Sequence, residues 1–165
     1  MKFSEVKKIS LLPFRDGRGF FEETFRASSF ASSFVQDNHS FSKKGVIRGM
    51  HFQSSPGQVK LVQVIQGEIF DVVVDIRKQS PTKGQWDGVY LTAHEQLWIP
   101  VGFAHGFCVV SDEAHVIYKV SSYYEAACEK TFRFDDPFVG IKWPESHPIL
   151  SDKDLNAPLF CEVVE

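Results

Sequence analysis

The chain has 165 residues, a net charge of −3 and a pI near 6.1, and its charged residues are dispersed rather than clustered. That balance excludes a general basic face for nucleic acid. A chain of this length can bury roughly 70% of its unfolded surface without a disulfide or metal staple, so one domain over residues 1–165 is expected.

The N-terminal stretch MKFSEVKKISLLPF stops at Pro13, before its apolar run could serve as a signal-peptide core or membrane span. Three scattered cysteines, Cys108, Cys128 and Cys161, show no CxxC spacing; they read as packing residues and suit a reducing cytoplasm. In SSFASSF, Phe30 and Phe34 are one helical turn apart and Ser28 is placed to cap it. The run Val46 to Gln53 reads as a strand. Lys60 to Arg77, KLVQVIQGEIFDVVVDIR, reads as a hairpin about Gln66-Gly67, its second half alternating Phe70, Val72, Val74 and Ile76 with Asp71, Val73, Asp75 and Arg77. Gly88–Thr92, Gln96–Ile99, Gly106–Val110 and His115–Ser121 follow as strands between turn-rich segments, and SDKDLNAPLF can hold a short turn. Many short strands at regular spacing and little helix predict an all-β, double-sheet jelly roll.

Within this pattern GVIRGMHFQ sets Arg48 and His51 in an apolar strand, where an ionisable group needs a partner or an open face. IPVGFAHGF adds His105 after a Pro/Gly turn. Together these segments resemble the two cupin motifs, whose histidines point into a shared cavity. A metal-binding version would need a second histidine, where this chain has Gln53, and then a carboxylate. The following FQSSPGQVK has none and ends in the cation Lys60. A metal-free cavity is expected. Arg48 and His51 are separated by an odd number of positions, so both can face one cavity only if the strand breaks regularity, most easily at Gly49. Asp71 and Asp75 share one strand face and are expected on the outer side, hydrogen-bonded or solvated. His39, His94, His115 and His147 read as surface or structural residues.

Taken together, DGRGFFEETF, QDNHS, GVIRGMHFQ, QVKLVQVIQGEIFDVVVDIRKQSPTKGQW, LWIPVGFAHGF, YKVSSYY and ILSDKD resemble the dTDP-4-dehydrorhamnose 3,5-epimerases, in order and over nearly the whole chain. The resemblance implies a cupin-type jelly roll with short flanking helices, needing no metal or organic cofactor. It implies inversion of dTDP-4-dehydro-6-deoxy-D-glucose at C3 and C5, with His51 as base, Asp154 as its carboxylate mate, Lys60 near the C4 oxygen and Tyr118 as acid. Arg18, Glu23, Gln36, Asp37, Asn38, Arg48, His105, Glu129 and Lys153 fall on nucleotide-sugar contacts, and Tyr124 on the ring that stacks on thymine. A homodimer is implied, with the N-terminal RGFF segment completing the neighbouring site. Three other readings compete: a single-centre epimerase or ketoisomerase of a related keto-sugar, a non-catalytic nucleotide-sugar binder, and a metal-dependent cupin oxygenase.

Overall fold

The computed structural model describes residues 1–164. In chain order the strands are β1 (Lys7–Ser10), β2 (Phe14–Asp16), β3 (Gly19–Phe21), β4 (Gln36–Lys43), β5 (Ile47–Gln53) and β6 (Lys60–Gln66), then β7 (Glu68–Asp75), β8 (Trp86–Thr92), β9 (Glu95–Ile99), β10 (Phe103–Val109), β11 (Glu113–Val120) and β12 (Glu129–Thr131). Two short helices close the described chain, α1 (Asp152–Leu155) and α2 (Phe160–Val163). Two five-stranded antiparallel sheets, ordered β1-β9-β6-β11-β4 and β12-β5-β10-β7-β8, face each other as a jelly roll. This is the expected all-β architecture.

Alternation assigns each side chain to a layer. Val62 and Val64 of β6, Ile69 and Val73 of β7, Leu97 and Ile99 of β9, Phe103 and Phe107 of β10 and Val116 of β11 meet between the sheets. The opposite face of the second sheet is covered as well. Phe70, Val72, Val74, Ala104 and Cys108 pack beneath Phe132, Val139, Ile141 and Phe160. Strands buried on both faces carry near-continuous apolar runs, which is why β7 reads IFDVVVD. Each fully buried valine or leucine contributes about 1.5–3 kcal/mol.

Several expectations are corrected. β6 and β7 are not a hairpin: β6 pairs with β9 and β11, whereas β7 pairs with β8 and β10 in the other sheet. The chain turns the corner between sheets at Gly67 (φ +87°), where a Cβ would lie 2.1 Å from the Glu113 carbonyl oxygen. Residues 28–34 do not form a capped helical turn. A 3₁₀ turn covers Ala27–Ser29 with Ser28 inside it and Arg26 at its start, and Phe30 and Phe34 meet as rings against Trp98. Of the cysteines, Cys108 is buried while Cys161 is exposed. Ser151 does cap α1, accepting from the Asp154 backbone N–H at 3.1 Å.

The expectation for Asp71 and Asp75 is also overturned. Both are fully buried, on the inward face of β7 with Ile69 and Val73, because each carries its own partners into the interior. Asp75 accepts from Arg77 Nε (2.9 Å), Arg77 Nη2 (2.7 Å), Ser80 Oγ (2.5 Å) and Thr82 Oγ1 (2.6 Å). Burial works to raise its pKa, but these donors outweigh burial and hold the carboxyl well below the usual carboxylate range. Its contribution to stability is therefore complete above about pH 4, the unfolded value, and drains away as pH falls towards the folded one. Asp75→Asn is expected to cost about 2 kcal/mol at pH 7 and markedly less at pH 3, read from urea melts. An equal cost at both pH values would show that the charge contributes nothing.

Candidate active site

The polar end of the space between the sheets is a cavity of about 360 Å³. β6 brings Lys60 to it, in line with the core residues Val62 and Val64. β11 brings Tyr118, two positions from Val116. β4 presents Gln36, Asn38 and Ser40 from its inward face, and β10 presents His105 and Phe107. β5 supplies both Arg48 and His51, which the odd spacing forbids in a regular strand.

The break lies where it was expected. In the β5–β10 register His105 sits opposite His51 and Phe107 opposite Arg48, so two steps along β10 match three along β5. Ile47, Met50 and Phe52 consequently face the outer cluster, while Arg48 and His51 both reach the cavity. Gly49 makes the break possible. It has φ +134°, and a Cβ there would lie 2.6 Å from the Gly106 Cα.

His51 donates from Nε2 to Asp154 Oδ1 at 2.6 Å, joining β5 to α1 across the edge of the sheet. Asp154 is only 4% exposed. Burial pushes its pKa up, but the His51 hydrogen bond, with Ser151 and the Gly49 backbone, brings it below the ordinary value. The carboxylate is thus ionised at neutral pH and sets which imidazole nitrogen carries the proton. On the opposite wall, burial raises the Tyr118 phenol, with Arg48 pulling it down and Glu129 adding to the rise, so Tyr118 is a protonated donor at neutral pH. Burial lowers Lys60 to about 8, with Asp71 and Glu129 opposing the fall. At pH 7 it is still mostly an ammonium.

The remaining expected site residues divide into two groups. Gln36, Asn38, Arg48, His105, Tyr124 and Glu129 line the cavity with His51, Lys60 and Tyr118. Gln36 Nε2 donates to Asn38 Oδ1 at 2.8 Å, Arg48 Nε donates to Ser42 Oγ at 2.9 Å, and Tyr124 Oη donates to Glu129 at 2.9 Å. Lys153 is at the rim, paired with Glu129.

Arg18, Glu23 and Asp37 lie outside. Arg18 pairs with Asp16 on the exposed β2–β3 hairpin, Glu23 pairs with Arg26, and Asp37 points from the outer face of β4 to Lys119. Gln53, in the position where a metal site would carry histidine, is occupied by structure. Its Nε2 donates to the Pro56 and Tyr123 carbonyls and its Oε1 accepts from the Glu125 backbone N–H. Among the described residues no cluster of three or more His, Cys, Asp or Glu is arranged to hold a metal ion, and no helix is long and apolar enough to cross a membrane.

The family model for dTDP-4-dehydrorhamnose 3,5-epimerase matches residues 1–162. The chain belongs to this family, a family of isomerases. It is 51% identical over 158 residues to the dTDP-4-dehydrorhamnose 3,5-epimerase of Shigella flexneri, covering 90% of this chain and 87% of that protein. It is 52% identical over 159 residues to that of Neisseria gonorrhoeae, covering 92% of this chain but spanning only 48% of that protein's length. Among solved structures it superposes with a TM-score of 0.92 on the dTDP-6-deoxy-D-glucose-3,5-epimerase of Legionella pneumophila in complex with dTDP-4-keto-L-rhamnose. The two are 46% identical, and the match covers 96% of this chain and 89% of that one.

The epimerase family motifs thus map onto the cavity except where noted. Ser40, Gln58, Phe107 and Val120 also line it and were not singled out from the sequence. Asp71, expected on the outer face, is hydrogen-bonded to His105 on the inner one. Only its position two residues from Val73 hinted at the inner side.

Proposed function

We propose that the protein epimerises dTDP-4-dehydro-6-deoxy-D-glucose at C3 and C5 to dTDP-4-dehydro-L-rhamnose. The observation that carries this reading is the placement of His51, backed by Asp154, and Tyr118 on opposite walls of one cavity. β5 and β11 belong to different sheets. C3 and C5 both flank the C4 ketone, so loss of a proton from either leaves its electron pair delocalised onto the same oxygen. His51 takes the proton from one face of the sugar ring, and Asp154 stabilises the imidazolium that results. Lys60 meets the negative charge as it develops on O4, inside a site of low water content. Tyr118 returns a proton to the other face, which inverts the carbon. No step calls for a cofactor.

Arg48 offers a planar fork suited to the diphosphate. Arg18 and Glu23 enter this reading through a second copy of the chain. The hairpin that carries Arg18 exposes Phe14 and Phe21, each at 72%, and in one chain it lies away from the cavity. In a homodimer in which each hairpin completes the neighbouring site, mixing inactive Arg18→Ala and His51→Ala chains restores one intact site per mixed dimer. About a quarter of wild-type turnover per chain is then expected after random pairing into two-fold dimers. No recovery after verified subunit exchange would place Arg18 in its own chain's site or in none. The free thiols fit work in a reducing cytoplasm.

The deciding experiment is proton NMR of the keto-sugar incubated with chelator-treated protein in deuterium oxide. Deuterium entering C3 and C5, with L-rhamnose formed on adding a 4-ketoreductase and NADPH, is the expected result. Exchange at one carbon alone would make it a single-centre epimerase, and no exchange would make it a binder or an enzyme of another keto-sugar.

A further inference from the structure

Asp71 is a buried ionisable group in contact with the cavity residue His105, and the proposed reaction gives it no part. It is fully buried on the inward face of β7 among valines. Its Oδ2 is 2.8 Å from Nε2 of His105, and its Oδ1 is buried with no hydrogen-bond partner. An apolar side chain would fill the same space without the desolvation of a carboxylate, so fold stability alone does not account for this residue. The ionisable groups that line the cavity with His105 are Lys60 from β6, Arg48 and His51 from β5, Tyr118 from β11, Glu129 from β12 and Tyr124. Lys60 is the amine among them, and it is enclosed. Burial drives its pKa down while Asp71 and Glu129 oppose the fall; burial raises Asp71 above the ordinary carboxylate value, with His105 and Lys60 opposing the rise.

We infer that Asp71 is a positioning residue: its carboxylate fixes His105 with Nε2 protonated and is the buried counter-charge that keeps Lys60 an ammonium in the cavity. The assignment of Lys60 to a ketone oxygen rests on the function proposed above. The counter-charge role of Asp71 does not. Asp71 acts through these neighbours, two positions along β7 from Val73, the residue opposite His105 in the β7–β10 register.

Asp71→Asn tests this, because the amide oxygen accepts the same hydrogen bond from His105 while the charge is gone. The Lys60 Nζ titration, followed by ¹⁵N NMR and assigned with Lys60→Arg, is expected to have its midpoint about one pH unit lower than in the wild type. The alkaline limb of kcat/KM on the keto-sugar should move with it, giving about a tenfold loss above both midpoints, one decade per unit. A midpoint unchanged by the substitution would overturn the inference and leave Asp71 as a hydrogen-bond acceptor only. The NMR titration needs no substrate. Should the wild-type protein fail to turn over the keto-sugar, the proposed function falls while the counter-charge role of Asp71 is still decided. Should Asp71→Asn not fold, long-range ¹H–¹⁵N spectra of the wild type decide instead. Nε2 of His105 protonated is the expected state, and Nε2 bare with Nδ1 protonated would mean that Asp71 is a neutral donor and not a counter-charge.

Discussion

Replacing His51 with asparagine is expected to suppress deuterium entry at both C3 and C5 together, by about a thousandfold. In the proposed reaction His51, with Asp154 2.6 Å from its Nε2, is the base at both centres. His105, the other histidine of the cavity, has its Nε2 engaged by Asp71, and the two histidines sit side by side on neighbouring strands of the same sheet. Asparagine is the informative substitution. Its amide overlays Nδ1 rather than Nε2, but Asp154 keeps Ser151 and the Gly49 backbone as partners, and the backbone pairing of residue 51 with Thr131 and His105 is unaffected. The thermal midpoint should therefore stay close to that of the wild type while exchange disappears. Loss at one carbon with normal exchange at the other would mean that two bases serve the two centres, and the single-base reading would have to be abandoned.

Tyr118→Phe separates proton removal from proton return. The ring packs against the core cluster between the sheets and keeps that packing as phenylalanine, so only the hydroxyl is lost. Deuterium should still enter from the His51 side at an appreciable rate, whereas formation of the inverted product falls by about a hundredfold. Measured in one tube by NMR, the ratio of exchange to inversion is expected to rise well above that of the wild type. If the variant inverts both centres at the normal rate, the phenol is not the acid, whatever its position on the opposite wall. The direction of the pKa shift bears on pH dependence as well. Burial raises the phenol above its ordinary value, so the Tyr118 donor is still protonated where Lys60, lowered to about 8, has begun to lose its charge. The alkaline decline of activity is therefore expected to follow Lys60 first.

How much of this could be read from the chain depended on whether a residue's environment is written in its near neighbours. β7, β9, β10 and β11 announce themselves because apolar side chains fill at least one face. β4 does not read as a strand from the sequence, although its QDNHS carries part of the family resemblance. Its inward positions, Gln36, Asn38, Ser40 and Ser42, are polar because they face the cavity or its edge, so the usual hydrophobic alternation is absent. The supposed hairpin at Gly67 failed for a different reason: a tight turn looks alike whether the chain folds back within a sheet or crosses to the one opposite. Asp71 was misassigned because both faces of β7 are buried, and alternation says that there are two faces without saying which is which. The break at Gly49 was legible, since an odd spacing between two residues required on one face leaves few other solutions. Arg18 and Glu23 carry a family motif, but nothing in the local sequence says whose cavity they serve.

The corner at Gly67 has a consequence for the chemistry that is easily overlooked. By sending β6 and β7 to opposite sheets, it makes the site a gap between two slabs rather than a groove on one surface. The span across which a proton is removed and returned is then set by the thickness of the hydrocarbon beneath it. Val62, Val64, Val73 and Val116 lie between the sheets as spacers that set the separation of the walls carrying His51 and Tyr118. The reach of the two groups towards one carbon or two is thus tuned from below, by side-chain volumes in the floor, while the reacting groups themselves stay the same.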